Sequence, residues 1–276
     1  MYFGLYGINQ GVAVNPEIAV SLAQLAEDLG FDSLWTTGDL VLPDPRPHPR
    51  APSPNTPILH PAVCLGALAE HTETLSLVLS ASEGCAGDAL LWAKLAASLD
   101  HWSDGRAQLL LPPGFGQGGG TDLEEEWLQA LRSLWGSEAP RLEGQCHQIA
   151  QVQAAPRPFH GASLPLWVQG RSAASLTLAV TSAQGWLFRG DDLASVAEAM
   201  AALEEEEGRS ERLSALGTLE VAVLTAAVPT LETLEAYEAL EVDRVVLLLP
   251  PDDGPTLEHF LEDVADALFD EFLDAP

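Results

Sequence analysis

Eight times along this chain a short apolar run gives way to a stretch whose apolar residues recur at helical spacing. The first pair shows the pattern. YFGLYGI (2–8) has the continuous apolar character of a strand buried on both faces. Asn15 then stands where a helix cap belongs, with Pro16 at the first helical position and Glu17 in the first turn. Ile18, Leu22, Leu25, Ala26 and Leu29 share one face, and Gly30 stops the helix. The same reading predicts strands at 32–36, 75–81, 107–111, 165–169, 185–188, 219–226 and 244–249. Helices are expected near 60–71, 88–101, 122–135, 172–183, 191–207, 230–240 and 255–272. Buried strands joined by helical crossovers make a parallel sheet, and eight such units in 276 residues favour closure. The expected fold class is α/β, a single-domain (β/α)8 TIM barrel over 1–276. EGQCHQIAQVQ, ahead of the fifth strand, alternates and suggests a short hairpin or an extended insertion.

Charge limits the partners. With 41 acidic against 12 basic side chains, the net charge is −29. Nucleic acid and anionic membrane surfaces would be repelled, so neither is expected. A small anionic cofactor stays admissible, because screening over roughly 8–10 Å lets one arginine outweigh distant carboxylates. No run of about 20 apolar residues is available to cross a bilayer. MYFGLYGINQG lacks the basic and apolar regions of a signal peptide, so a cytoplasmic protein is expected. The three cysteines are dispersed and form no CxxC, which fits a reducing compartment. The seven histidines show no metal-ligand spacing, and no metal is expected.

In a barrel of this kind, chemistry sits at the C-terminal ends of the strands. That rule selects Asn9 and Gln10, then Thr36, Thr37 and Asp39, then Ser80, Ser82 and Glu83. After the fifth strand it selects Gln169, Gly170, Arg171 and Ser172, and after the sixth Arg189 and Gly190. The stretch PLWVQGRSAAS (165–175) admits two readings. The first turn of a helix attracts anions through free N–H groups, and arginine adds a bidentate phosphate donor, so Arg171 and Ser172 form a phosphate seat. Alternatively, Ser172 only caps the helix and Arg171 pairs with a surface acid. Two loops are also open to two readings. Residues 43–57 hold seven prolines and form a substrate gate or a stiff surface loop. PPGFGQGGG (112–120) permits close approach to a ligand or is a flexible connection.

FGLYGINQG, AVSLAQLAEDLGFDSLWTTGD, LLWAKLAASLDHWSDGR, PLWVQGRSAASLTLAV, GWLFRG and VDRVVLLLPP occur in that order. Together they resemble the bacterial-luciferase-like family of flavin- and deazaflavin-dependent oxidoreductases over nearly the whole chain. The resemblance implies a (β/α)8 barrel, a homodimer, FMN or a deazaflavin at the barrel mouth, and monooxygenation or hydride transfer on a small-molecule substrate. It places Gly170, Arg171 and Ser172 on the cofactor phosphate; Arg189, on the next strand end, is added to the cofactor-binding candidates from the strand-end rule. It places Trp186 and Leu187 in a segment lining the cofactor, and Ser80, Ala81 and Ser82 at a bulge under the flavin ring. Asp39 corresponds to the acid of a Gly-Asp-His element.

The chain departs from that pattern on the ligand side. Leu40 stands where a histidine is common, and leucine neither transfers a proton nor hydrogen-bonds a ring. Gly87-Asp88-Ala89 replaces a polar stretch, and LLLPPGFG replaces a Gly-x-Gly. The expected function is therefore a flavin-dependent oxidoreductase. The alternative is a divergent barrel that binds without catalysing. A barrel enzyme acting on a phosphorylated metabolite would share the anion seat.

Overall fold

A computed structural model describes residues 1–46, 52–82, 88–115, 121–190, 192–250 and 254–268. The strands are β1 (Tyr2–Tyr6), β2 (Ser33–Trp35), β3 (Ser76–Ser80), β4 (Ala107–Leu111), β5 (Leu142–Glu143), β6 (Gln148–Ile149), β7 (Leu166–Gln169), β8 (Gly185–Arg189), β9 (Glu220–Thr225) and β10 (Arg244–Leu248). The helices are α1 (Pro16–Leu29), α2 (Pro61–Ala69), α3 (Ala89–Trp102), α4 (Thr121–Gly136), α5 (Ala173–Ser182), α6 (Leu193–Glu207), α7 (Leu231–Ala239) and α8 (Gly254–Ala265). Eight strands close a parallel barrel in the order β1-β10-β9-β8-β7-β4-β3-β2. The ring is sealed where Tyr2 pairs with Arg244 and Gly4 with Ser33. This is the (β/α)8 barrel expected from the sequence. The alternating stretch before β7 forms the antiparallel pair β5–β6, Leu142 opposite Ile149.

Helix boundaries follow local chemistry. The Asn15 side chain accepts from the Glu17 amide, and Gly30, at φ 95°, ends α1. Asp192 and Ser195 form a reciprocal capping box on α6. His60 caps α2 by accepting the Ala62 amide at 3.2 Å. Strands are shorter than their apolar runs. β1 stops at Tyr6 because Gly7 turns to φ 95°, although Ile8 beyond it is still fully buried.

Strand alternation divides the core in two. Phe3, Leu5, Leu34, Leu77, Leu79, Leu109, Trp186 and Phe188 face outward against the helices. Trp35, Val78, Leu110, Trp167, Leu187, Ala222, Leu224 and Val246 fill the barrel itself. Two indoles occupy its centre: Trp35 and Trp167 meet edge to face, with ring centroids 4.9 Å apart. Each finds a partner for its N–H, Trp35 on Ser33 Oγ at 2.8 Å and Trp167 on Gln108 Oε1 at 2.6 Å. Glycine makes the room. A Cβ on Gly4 would lie 2.7 Å from Trp35 Nε1, and one on Gly185 would lie 2.2 Å from the Trp167 ring. At the N-terminal end, the largely buried Arg244 pairs with Glu220 at 2.8 Å, donates to Ser33 Oγ at 2.8 Å and lies over the Tyr2 ring. These side chains fill the barrel floor, and a cavity opens at its other end.

Candidate functional site

That space is a cavity of about 150 Å³ at the C-terminal mouth, lined by Tyr6, Asp39, Ser80, Leu110, Pro112 and Gln169 among others. It is roughly half the lower limit of ordinary small-molecule sites.

Its walls are set by buried polar groups. Asn9 is fully buried behind β1. Its Oδ1 accepts the Thr37 amide at 2.8 Å, and its Nδ2 donates to the carbonyls of Thr37 and Leu59 at 3.1 and 2.9 Å. One amide therefore ties together the chain after β1, after β2 and before α2. Thr37 in turn donates from Oγ1 to Asp39 Oδ2 at 2.7 Å, fixing a carboxylate that is itself exposed. Asn9→Ala would leave two carbonyls and one N–H without these partners, each costing about 1–3 kcal/mol when buried. A thermal midpoint lowered by several degrees is expected, with a larger loss of ligand affinity than Asn15→Ala causes at an exposed helix cap.

β2 and β3 are stitched at the mouth. Thr36 Oγ1 donates to Val78 O at 3.1 Å and accepts the Ser80 amide at 3.0 Å, while Ser80 Oγ donates to Thr36 O. Gly38 comes so close to β3 that a Cβ would lie 2.2 Å from Ala81 O. Ser80 and Ala81 line the cavity. Ser82 is buried, and among the described residues its hydroxyl has no hydrogen-bond partner. Glu83 and Gly87 lie outside the described residues, as do parts of the proline-rich and glycine-rich loops. Asp88 caps α3, accepting the Leu91 amide at 3.0 Å.

The turn after β7 adjoins the same cavity. Gln169 lines it, and Gly170, at φ 123°, packs so that a Cβ would sit 3.0 Å from Pro113 and 2.9 Å from Ser175 Oγ. Ser172 caps α5, its Oγ accepting the Ser175 amide at 3.1 Å and lying 2.8 Å from Ser175 Oγ. Arg171 pairs with Glu198 at 3.2 Å, the two side chains being 36% and 80% exposed. The cap and the surface pair are thus both present. Neither blocks an anion: an exposed pair is worth about 0–1 kcal/mol, and a phosphate offers the guanidinium a stronger bidentate partner. Arg189 ends β8 with its side chain exposed.

Trp186 is placed differently from the cavity lining. Its side chain points to the helices, fully buried and stacked on Phe188 at 4.3 Å. Its Nε1 donates to Gly170 O at 2.6 Å, so it braces the turn from behind. Leu187, one residue on, is the β8 side chain inside the barrel. Tyr6 and Leu110 line the cavity without having been singled out in the sequence. Their signal was the two-residue alternation counted from Gly4 and from Gln108.

A second cavity, about 250 Å³, lies outside the barrel between α3 and the β5–β6 hairpin, bounded by Leu90, Leu134, Cys146, His147 and Ile149. Its hairpin is held by one carboxylate. Glu126 accepts the amides of Gln145, Cys146 and His147 at 2.6, 2.8 and 2.6 Å, and meets His147 Nδ1 at 3.1 Å. Desolvation pushes this carboxyl up, but the hydrogen bonds together outweigh it and pull it from 4.5 to about 2. A depressed carboxyl stabilises the fold above its unfolded value and loses that contribution as pH falls. Protection of the 145–147 amides, measured as exchange relative to the intrinsic rate at each pH, should therefore fall as pH is lowered from about 5 towards 2. In Glu126→Gln protection should be low and independent of pH; wild-type protection in that variant would contradict the assignment.

Fold and site together define a (β/α)8 barrel with a small cavity at its C-terminal mouth and an arginine-bearing helix start on the rim. The sequence pattern described as luciferase-like monooxygenase matches residues 6–242. The chain belongs to that family. Uncharacterized proteins of Mycobacterium bovis and Mycobacterium tuberculosis are each 27% identical to it over 217 residues, 68% of this chain and 72% of theirs. Among solved structures, monooxygenase RslO1 from Streptomyces bottropensis superposes with a TM-score of 0.75 at 17% identity, covering 99% of this chain and 100% of that one. The coenzyme F420 dependent tetrahydromethanopterin reductase from Methanopyrus kandleri gives 0.73 at 16% identity, covering 98% and 99%. An F420-dependent secondary alcohol dehydrogenase gives 0.70 at 15%, covering 95% and 97%. At these identities the structural likeness is one of fold. Among the described residues, no helix is long and apolar enough to cross a membrane.

Proposed function

We propose that the protein is a flavin- or deazaflavin-dependent oxidoreductase acting on a small molecule at the barrel mouth. The observation that carries this reading is the Gly170–Arg171–Ser172 turn, which opens α5 beside the cavity that also holds Ser80 and Asp39. The residues fit such a group. Gly170 takes the left-handed φ and the close packing on Pro113 and Ser175 that the turn needs, the first amides of α5 would meet an incoming anion, and Arg171 would supply the cation.

In this reading Arg171 and the start of α5 hold the phosphate, while Trp186 keeps the turn in place through the Gly170 carbonyl. Ser80 and Ala81 support one face of the ring, and Tyr6 and Leu110 exclude water from below. Asp39, steadied by Thr37, orients a polar group or a water of the substrate. The cofactor supplies the redox chemistry itself: oxygen activation if it is a reduced flavin, hydride transfer if it is a deazaflavin. Structural relatives named for both F420 and monooxygenase activity support the pairing. Leu40, 44% exposed beside Asp39, favours a second reading in which the barrel binds the cofactor but does not turn it over.

Titration of the purified protein with FMN and, separately, with coenzyme F420, followed by absorbance and fluorescence, tests the proposal. Saturable binding of one of them is expected. Absence of binding by both at high micromolar concentration would overturn it. Binding without turnover across alcohol, aldehyde and alkane substrates would favour the second reading.

A further inference from the structure

Strand alternation decides what faces the mouth cavity. Trp35, Val78, Leu110 and Trp167 fill the barrel below it. Two residues further along the chain from each stand Thr37, Ser80, Pro112 and Gln169, and all four line the cavity. The upper layer thus sets hydroxyls and an amide over indole and aliphatic carbon.

Much of that polarity is engaged within the fold. Thr37 donates to Asp39 at 2.7 Å, and Ser80 donates to the Thr36 carbonyl. Two other glutamines beside β7 are engaged as well. Gln108 Oε1 accepts from Trp167 Nε1 at 2.6 Å, and Gln184 Oε1 accepts the Leu166 amide at 3.0 Å. Gln169 differs from both. It is half-buried, and among the described residues its side-chain amide makes no hydrogen bond. Its backbone is nonetheless fixed, since it pairs with Leu187 across β7–β8 and the next amide, Gly170, donates to Leu187 O at 3.0 Å. A planar group with a donor and an acceptor therefore reaches into the mouth from a rigid strand end.

We propose that Gln169 recognises the imide edge of the cofactor ring, its Oε1 accepting from the ring N–H and its Nε2 donating to the carbonyl beside it. The assignment rests on the flavin or deazaflavin reading above. Both rings end in a pyrimidinedione, whose N–H stands between two carbonyls. A primary amide is the planar complement of that edge, with acceptor and donor side by side. The charged neighbours are poorer matches: an ionised Asp39 only accepts, and Arg171 only donates. An imide lowered onto Trp167 and Leu110 without such a partner would bury polar atoms unpaired, which is penalised. Gln169 points to the barrel axis, whereas Arg171 and Ser172 stand at the start of α5 on the rim. One turn can thus serve both ends of a ligand that carries a ring and a phosphate.

Titration with FMN and with coenzyme F420 reads the assignment twice, as affinity and as the position of the visible absorption band of the bound ring. Gln169→Leu should weaken whichever cofactor the wild type takes up by roughly 10- to 30-fold, the range for losing two neutral hydrogen bonds. The band should move back towards that of the free cofactor, and the thermal midpoint without ligand should match the wild type. Where FMN is the cofactor bound, 3-methyl-FMN, whose ring N–H is blocked, should bind the wild type more weakly than FMN does. Gln169→Leu should not distinguish the two, and the wild-type comparison stands even if the variant fails to fold. Unchanged affinity in Gln169→Leu would overturn the assignment alone. So would weaker binding with an unshifted band, which would place the amide on another part of the cofactor. A wild type that binds neither cofactor would instead remove the reading beneath it, and the assignment with it.

Discussion

Gly185→Val should abolish soluble expression, or lower stability by more than about 4 kcal/mol, the range reached only by severe core disruption. The added Cβ alone would lie 2.2 Å from the Trp167 ring. That ring has no easy retreat. Its N–H is bound to Gln108, it meets Trp35 in an edge-to-face contact, and it is almost fully buried. Interiors packed at crystal-like density absorb such overlaps by moving backbone, and here the backbone is a closed ring. Gly208→Ala is the control. Gly208 has helical φ, and a Cβ there meets only ordinary contacts at 3.5 Å or more, so its thermal midpoint should match the wild type. A Gly185→Val protein that unfolds within a few degrees of the wild type would refute the packing of the barrel centre.

Arg171→Ala should weaken binding of FMN or coenzyme F420 by roughly 10- to 100-fold, the worth of a charge-assisted hydrogen bond of about 1.5–3 kcal/mol. Thermal stability should stay unchanged, because the pair it loses with Glu198 is exposed and contributes little. Arg171→Lys should recover part of the affinity, since an ammonium keeps the charge but not the planar fork. Glu198→Gln should tighten binding slightly by releasing the guanidinium from its competitor. Calorimetric or fluorescence titration reads all three. Equal affinity in wild type and Arg171→Ala would remove the phosphate seat from the account and leave the fold untouched.

The barrel was legible because its signals are local and repeated. Asn15-Pro16 starts α1 and Gly30 stops it whatever surrounds them, and eight predominantly apolar strands cannot be left exposed. Even the β5–β6 hairpin showed in its alternation, though the carboxylate that holds it, Glu126, lies about twenty residues upstream and leaves no local trace. The site was legible to the level of strand ends. Gly170 and Ser80 do share one mouth, with Gln169 and Ser80 on the same cavity. What failed to show was which way side chains point. Trp186 and Leu187 are neighbours in sequence, but one braces the outside of the barrel and the other fills it. The choice of Glu198 as the partner of Arg171 is tertiary, set by the packing of α6 beside α5.

The indoles of Trp35 and Trp167, with Arg244 and Glu220 beneath them, make the barrel a cul-de-sac. Traffic through a single doorway is ordered by depth. Whatever seats nearest the tryptophans must come in before its companion and can leave only after it. If the proposed cofactor and substrate both enter by this mouth, binding order and release order follow from the architecture and should read as a compulsory sequence in steady-state kinetics.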